Sequence, residues 1–323
     1  EDGVVGLGDA VPLSLRSGAT LAHVVTELRA LAAAAELDEG VVGEKALSAP
    51  ARCALLTALM DLRGRRAGAD AIGEPAPVPC NATLTAGPVA EVVAQAEAWA
   101  ADGFTTFKLK LGAETAKTDP EGRLLRSRDG DVEQVRAVRE ALGPAVRVRV
   151  DVNGAWDLES AKGLLDALEP HAIELAEQPV ATLEEMAELA ASTSIPLAAD
   201  ESVAGVAEAE RAASLGACAF TGIKLSKVGG PEEALAVAEV LPAYLSSALD
   251  GPVGIAAAAR VAQRLEERHP ERPALAHGLA TQRLFATTVA AVECELRDGL
   301  LHPPPGPGLG VEIDEEALQA HRL

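Results

Sequence analysis

Two lysines that share a strand, and three carboxylates that follow in order, are the residues of this chain best suited to chemistry. Lys108 and Lys110 lie in "FKLKLG" (107–112), so in a strand both side chains point to one face. Downstream, Asp151 ends the apolar run of "VRVRVDVNGAW", Glu177 that of "AIELAEQP" and Asp200 that of "IPLAADES", while Lys224 stands in "FTGIKLSKVGG". Singly these are weak signals. An Asp after an apolar run is commonly a helix cap, and Lys-x-Lys at a strand end is commonly a solvated edge. In this order they describe a ring of charge at strand ends. Three carboxylates crowded without a cation would repel, and at least one would keep its proton. A hard divalent cation resolves the conflict, since Mg2+ takes carboxylate and water oxygens and leaves positions for a substrate. Asp151, Glu177 and Asp200 include no soft donor, which speaks against zinc.

The elements that must position these residues are legible as an alternation. Short apolar runs fall at 81–86, 104–110, 146–151, 172–177, 196–200, 219–225, 243–247 and 274–277. Between them lie Ala/Leu/Glu-rich stretches with helical spacing, such as 89–101, 132–142 and 183–192. Strand then helix, repeated eight times over about 220 residues, predicts an α/β fold of the (β/α)8, modified TIM-barrel type. The alternative, a doubly wound open sheet, is disfavoured by the count of eight and by the lack of a Gly-rich phosphate loop. In a parallel barrel the C-terminal strand ends build the pocket, which is where the charged residues fall.

Residues 1–79 read differently, with a turn and strand end in "EDGVVGLGDAVPL", helical runs at 20–36 and 47–67, and a Pro-rich linker in "GEPAPVPC". The tail "HPPPGPGLGVEI" is too rich in Pro and Gly for a barrel helix. The expected organisation is an N-terminal α+β capping domain over 1–79, a barrel over 80–300, and a tail over 301–323 that returns to the cap.

The net charge of −21 argues against nucleic-acid or anionic-membrane partners, which need concentrated Lys and Arg. Basic clusters at Arg123–Arg128 and Arg260–Arg272 are interleaved with acids and read as solvated faces. The four cysteines, Cys53, Cys80, Cys218 and Cys294, are scattered without paired spacing, so a reducing cytoplasm and apolar roles are expected. No apolar run reaches the roughly 18 residues of a membrane span, and no signal peptide is visible.

The motifs "KLK", "DVNGAW", "EQP", "ADES" and "IKLSKVGG", in this order over essentially the whole chain, resemble the enolase superfamily, in its muconate-lactonizing-enzyme subgroup. "GLGDAVPL" resembles the end of that family's capping sheet, and "GPGLGVEID" its C-terminal return. The resemblance implies that Asp151, Glu177 and Asp200 hold Mg2+, with Mn2+ as a substitute. It also implies that Lys110 is a base with Lys108 beside it, that Lys224 works from the opposite side, and that Asn153 and Glu201 support the ligands. The physical logic is independent of the family. A proton α to a carboxylate is very weakly acidic, so the enediolate needs metal and ammonium groups nearby. The base must be a neutral amine, and a neighbouring cation lowers its pKa towards working pH.

Within the subgroup, "YLSSALDGPVGIAAAARVA" (244–262) resembles o-succinylbenzoate synthases, where Ser246, Ser247 and Gly254 would approach a substrate carboxylate. The implied reaction is syn dehydration of a cyclohexadiene carboxylate in menaquinone biosynthesis. N-succinylamino acid racemase and muconate or chloromuconate cycloisomerase are the alternatives, and a degenerate barrel that only binds is the non-enzyme reading. "LAHGLATQRLF" lacks the Asp-x-Asp of dipeptide epimerases. His277 is read as a core histidine rather than a pocket residue, and Lys227 as a surface residue. A small carboxylate is the expected partner, a homo-oligomer is compatible with the sequence, and the family's mobile specificity loop is expected upstream of Glu1, with Leu13–Arg16 bordering the pocket.

Overall fold

The computed structural model describes residues 3–12, 18–32, 47–71, 73–112 and 128–322. Leu13–Arg16 and the basic residues 123–127 lie outside the described residues. The chain divides into two units, one of Glu1–Pro79, Ile223–Glu239 and Tyr244–Leu323, the other of Cys80–Gly222 with Val240–Ala243.

The second unit is built from the alternation. Its strands are β2 (Ala82–Leu84), β3 (Thr106–Lys110), β4 (Arg147–Asp151), β5 (Ile173–Glu177), β6 (Leu197–Ala199) and most of β7 (Phe220–Ile223), with β8 (Ala243–Leu245) beginning in it. The order β2-β3-β4-β5-β6-β7-β8 is fully sequential, and the pairings from β2 to β7 are parallel. This is the strand order of a (β/α) barrel. Val148, Val150, Leu175, Leu109 and Phe107 are fully buried, as parallel strands covered on both faces require. Helices α3 (Val89–Ala101), α4 (Arg128–Leu142), α5 (Leu158–Leu168), α6 (Leu183–Ala190) and α7 (Val206–Leu215) follow successive strands. Their starts and ends are written locally. Asp157 accepts the Ser160 amide at 2.8 Å to cap α5, and Thr182 and Glu185 form a reciprocal capping box on α6. Gly216 ends α7 in the left-handed region at φ 64°.

The expected eighth strand at 274–277 is not a strand. It is reduced to a parallel bridge of Ser246 with Gly278, supported by His277 N–H to Pro79 O at 2.7 Å and Gly278 N–H to Leu245 O at 2.8 Å. His277 is 3% exposed, and its Nδ1 accepts the Leu245 amide at 2.9 Å. That acceptor role places the neutral ring's hydrogen on Nε2 and makes His277 a staple of the first unit.

The first unit contains α1 (Leu21–Ala32), α2 (Ala49–Ala67), α8 (Leu225–Val228), most of α9 (Pro231–Val240), α10 (Pro252–Arg268) and α11 (Glu315–Ala320). Its strands are β1 (Val78–Pro79), β9 (Ala290–Val292), β10 (Glu295–Arg297), β11 (Leu300–His302) and β12 (Glu312–Ile313), arranged as antiparallel sheets β1-β11-β10 and β12-β9. The strand end expected near the N-terminus is not formed among residues 3–12. Instead this segment lies flush on α2, where a Cβ at Gly6 would run into Ala58 O and one at Gly8 into Ala54 O. Asp61, buried on α2, fastens both chain ends: its carboxylate accepts Leu7 N–H at 2.8 Å, Leu309 N–H at 2.7 Å and Arg65 Nε at 2.6 Å. Arg260 also corrects the sequence reading. It is fully buried and donates to Asp70 at 3.1 Å and to the carbonyls of Gly73 and Pro304 at 3.3 Å. Among the described residues no helix is long and apolar enough to cross a membrane.

Two expectations follow from this unit. Asp61→Ala strands two backbone amides and an arginine, and should lower the unfolding free energy by about 3 kcal/mol in urea titration. Asp250 is pushed up to about 6, first by burial and second by the charge of Asp9. A carboxyl raised in the folded state stabilises folding below its unfolded pKa and loses that contribution as pH rises through the folded one. Stability should therefore fall between about pH 4 and pH 6, by on the order of 3 kcal/mol, and Asp250→Asn should flatten that slope.

Candidate active site in the parallel sheet

Register decides which side chains meet. Lys110 pairs with Asp151 across β3–β4, and Asp151 pairs with Glu177 across β4–β5. In parallel strands a shared rung puts side chains on the same face, so the ends of three strands deliver a cation and two anions side by side. Lys108, one side-chain step earlier on the same face, reaches up to both acids. Its Nζ lies 2.9 and 3.2 Å from the Glu177 oxygens and 3.0 Å from Asp151 Oδ2. Lys110 Nζ lies 2.5 Å from the same Asp151 oxygen and 3.1 Å from Asn153 Oδ1.

The two lysines differ in access. The Lys108 side chain is 5% exposed and that of Lys110 34%. Burial alone would lower the pKa of Lys108, but the charges and hydrogen bonds of Asp151 and Glu177 outweigh it and raise it. Lys110 moves the other way: burial and then the charge of Lys108 lower it, against the pull of Asp151 and Glu177. Burial would raise Asp151, yet Lys108 and Lys110 hold it at about 2. One ammonium is therefore locked, and its neighbour is the amine that gives up its proton more readily.

Asp200 is fully buried just past β6, and its negative charge is felt at Asp151. Asn153 stands at φ 52° in the turn after β4, with its side chain donating to Glu201 Oε1 at 3.0 Å and its N–H to Asp151 Oδ1 at 3.2 Å. Among the described residues no three acidic, His or Cys side chains converge as ligands of one ion. The carboxylates of Asp151 and Glu177 are turned onto Lys108 instead. The donor set nonetheless suits a hard cation. Asp151, Glu177 and Asp200 are at 0% exposure, all donate through oxygen, and bring three acidic groups to consecutive strand ends.

Gln178 is a residue that the sequence reading passed over. It is 1% exposed and held at φ 40°, a left-handed conformation uncommon for a non-glycine residue. Its Oε1 accepts Asp200 N–H at 2.9 Å, Ser202 N–H at 3.2 Å and Ser202 Oγ at 2.9 Å, while Nε2 donates to Val180 O at 2.8 Å. The amide thus ties the peptide of Asp200 to the strand that carries Glu177. Its place in "EQP", beside an acid at a strand end, is the signal that could have found it.

Lys224, Ser246 and Ser247 belong to the first unit. Lys224 follows β7 in extended conformation, and its carbonyl accepts the Lys227 and Val228 amides to start α8. Ser247 Oγ donates to Asp250 Oδ2 at 2.8 Å and accepts Asp250 N–H at 2.9 Å, a reciprocal turn. Ser246 N–H donates to Ile223 O at 2.7 Å. The Gly254 amide, expected to be open to a ligand, donates to Asp9 Oδ2 at 3.3 Å. Lys227 is half-buried on α8.

A family model described as "Enolase C-terminal domain-like" matches residues 91–317. The o-succinylbenzoate synthase of Thermobifida fusca is 40% identical over 258 residues, 76% of this chain and 73% of that protein. Muconate cycloisomerase from Pseudomonas fluorescens superposes with a TM-score of 0.85 at 28% identity, covering 99% of this chain and 91% of that one. A dipeptide epimerase from Enterococcus faecalis, solved with Mg and L-Leu-L-Tyr, gives 0.84 at 25% identity over 97% of this chain and 89% of that one.

The buried charge cluster yields a direct expectation. Lys108→Met removes the buried ammonium that Asp151 and Glu177 share and should cost about 3 to 5 kcal/mol at pH 7 in urea unfolding. A cost below 1 kcal/mol would show that Lys108 does not carry the balance.

Proposed function

The chain belongs to the enolase C-terminal domain-like family, and from that premise we propose that it abstracts a proton α to a substrate carboxylate, with Lys110 as the base. The observation that carries this reading is the asymmetry of the lysine pair: Lys110 is the exposed member and the one whose pKa is lowered. Neutral Lys110 accepts the proton at Nζ, and Asn153 Oδ1 holds that nitrogen while it changes charge. Lys108 stays charged between Glu177 and Asp151 and stabilises negative charge as it develops. Asp151, Glu177 and Asp200 would hold a divalent cation, Mg2+ with Mn2+ as a substitute, which would draw the charge forming on the substrate carboxylate. Lys224 is the proposed second lysine, an electrostatic group in a dehydration and an acid or base in a racemisation. In this reading residues 80–300 carry the chemistry, while 1–79 and 301–323 form the cap.

The specific reaction we favour is that of an o-succinylbenzoate synthase, a carbon–oxygen lyase. It is supported by the relative of that name and by the "SSALD" segment. Lys110, once protonated, assists syn loss of hydroxide from the cyclohexadiene carboxylate, so the proton it took leaves as part of water. A second reading, an isomerase acting as a racemase or cycloisomerase, is supported by the likeness to the muconate cycloisomerase structure. The test is turnover of the cyclohexadiene carboxylate with Mg2+ present. Aromatic product is expected, and no product alongside racemisation of N-succinyl amino acids would move the chain to the isomerase reading. Lys110→Ala should lower either activity by about three orders of magnitude; a drop of less than tenfold would refute Lys110 as the base.

A further inference from the structure

Beyond the strand ends, one carboxylate reaches both turns that carry the Lys110–Asn153 contact. Asp131, half-buried on α4, accepts the Gly112 N–H at 3.1 Å on Oδ2 and 3.3 Å on Oδ1. The same Oδ2 accepts the Trp156 indole N–H at 3.2 Å. Gly112 stands two residues after Lys110, and Trp156 three residues after Asn153.

Both anchors are tightly held. Leu111 N–H still pairs with Asp151 O at 2.9 Å, and β3 leaves the ladder at the next residue. There Gly112 adopts φ 70° and lies so close to the β4 turn that a Cβ would meet Ala155 Cβ at 2.9 Å and Val152 Cγ1 at 3.1 Å. Trp156 is 8% exposed, so its indole N–H has left water and requires an acceptor. The Gly112 and Trp156 N–H groups are the partners of the Asp131 carboxylate that bear on the site. Burial raises its pKa, and the Gly112 and Trp156 hydrogen bonds pull it back.

We propose that Asp131 is a positioning residue for the reaction, clamping the exit of β3 to the turn after β4 so that Lys110 Nζ and Asn153 Oδ1 keep their contact. This rests on the function proposed above. The clamp acts on the base and on the group that orients it, through Gly112 and Trp156 and not through a hydrogen bond of Asp131 to an acid on β4, β5 or β6. A displaced base lowers the rate of proton transfer far more than it weakens substrate binding, since a misplacement of about 1 Å costs up to about a hundredfold.

The experiment uses the whole chain with Trp99→Phe as background, which makes Trp156 the sole tryptophan. Asp131→Ala should lower kcat by about 10- to 100-fold with KM within about twofold. Mg2+ affinity by calorimetry should be unchanged, and acrylamide quenching of Trp156 should rise. Asp131→Asn keeps one acceptor oxygen and should recover part of kcat and part of the protection. A kcat within twofold of the background enzyme in Asp131→Ala would overturn the positioning role alone. Equal losses of Mg2+ affinity, thermal stability and kcat, with no recovery in Asp131→Asn, would overturn it in favour of a general structural role. A parent chain that turns over none of the candidate acids, and exchanges no α-proton in D2O, would instead overturn the underlying function.

Discussion

An ammonium group with almost no access to water is stable in a sheet interior only if anions reach it, and Lys108 is reached by two. Its contacts with Asp151 and Glu177 fix more than a charge balance. They hold the acids side by side on one rung of β4 and β5, keep Asp151 ionised, and keep a fixed positive charge beside Lys110. The desolvation of so many charges is costly, and removing any one partner leaves the others buried without compensation. A cluster of this kind stabilises the chain little by itself and specifies its arrangement closely. The ladder register, the left-handed turns at Asn153 and Gln178, and the hydrogen bonds of the Gln178 amide all serve to keep these few oxygens and nitrogens in place.

The strands and the charged residues at their ends were legible because both signals are local. Each is an apolar run of four or five residues closed by a charged side chain, and the parallel order follows from the intervening helices. Lys108 and Lys110 could be assigned to one face by parity alone. The partition of labour between them could not, because it depends on which ammonium lies deeper and which acids reach it across strands 41 to 69 residues away. Roles for Asp151, Glu177 and Asp200 as ligands rest on donor chemistry and resemblance, and belong to the proposal.

What stayed illegible is long-range or backbone-mediated. Arg260 looks like one basic residue among several on a helix, and only Asp70, Gly73 and Pro304 make it a core residue. Gln178 and Asp131 act largely on main-chain amides, which carry no residue identity, so a motif such as "EQP" can mark the residue but not its partners. Residues 274–277 have the apolar content of a strand, but the stretch joins the sheet through an isolated bridge of Ser246 with Gly278 rather than through a ladder. The N-terminal segment uses Gly6 and Gly8 to pack its backbone on α2 rather than to turn a strand.

The order of the charged strands along the chain has a consequence for assembly. β3, with both lysines, precedes β4, β5 and β6, which bring Asp151, Glu177 and Asp200 in turn. During synthesis the N-terminal segments are available first. Asp151 can therefore join an edge that already carries two lysines, and Glu177, arriving on the far side of β4, meets the Lys108 ammonium that reaches across to it. A rearranged chain in which β3 was made last would have to bring three acids together before any ammonium was available. The linear order of the strands is thus a schedule of charge neutralisation as well as a map of the sheet.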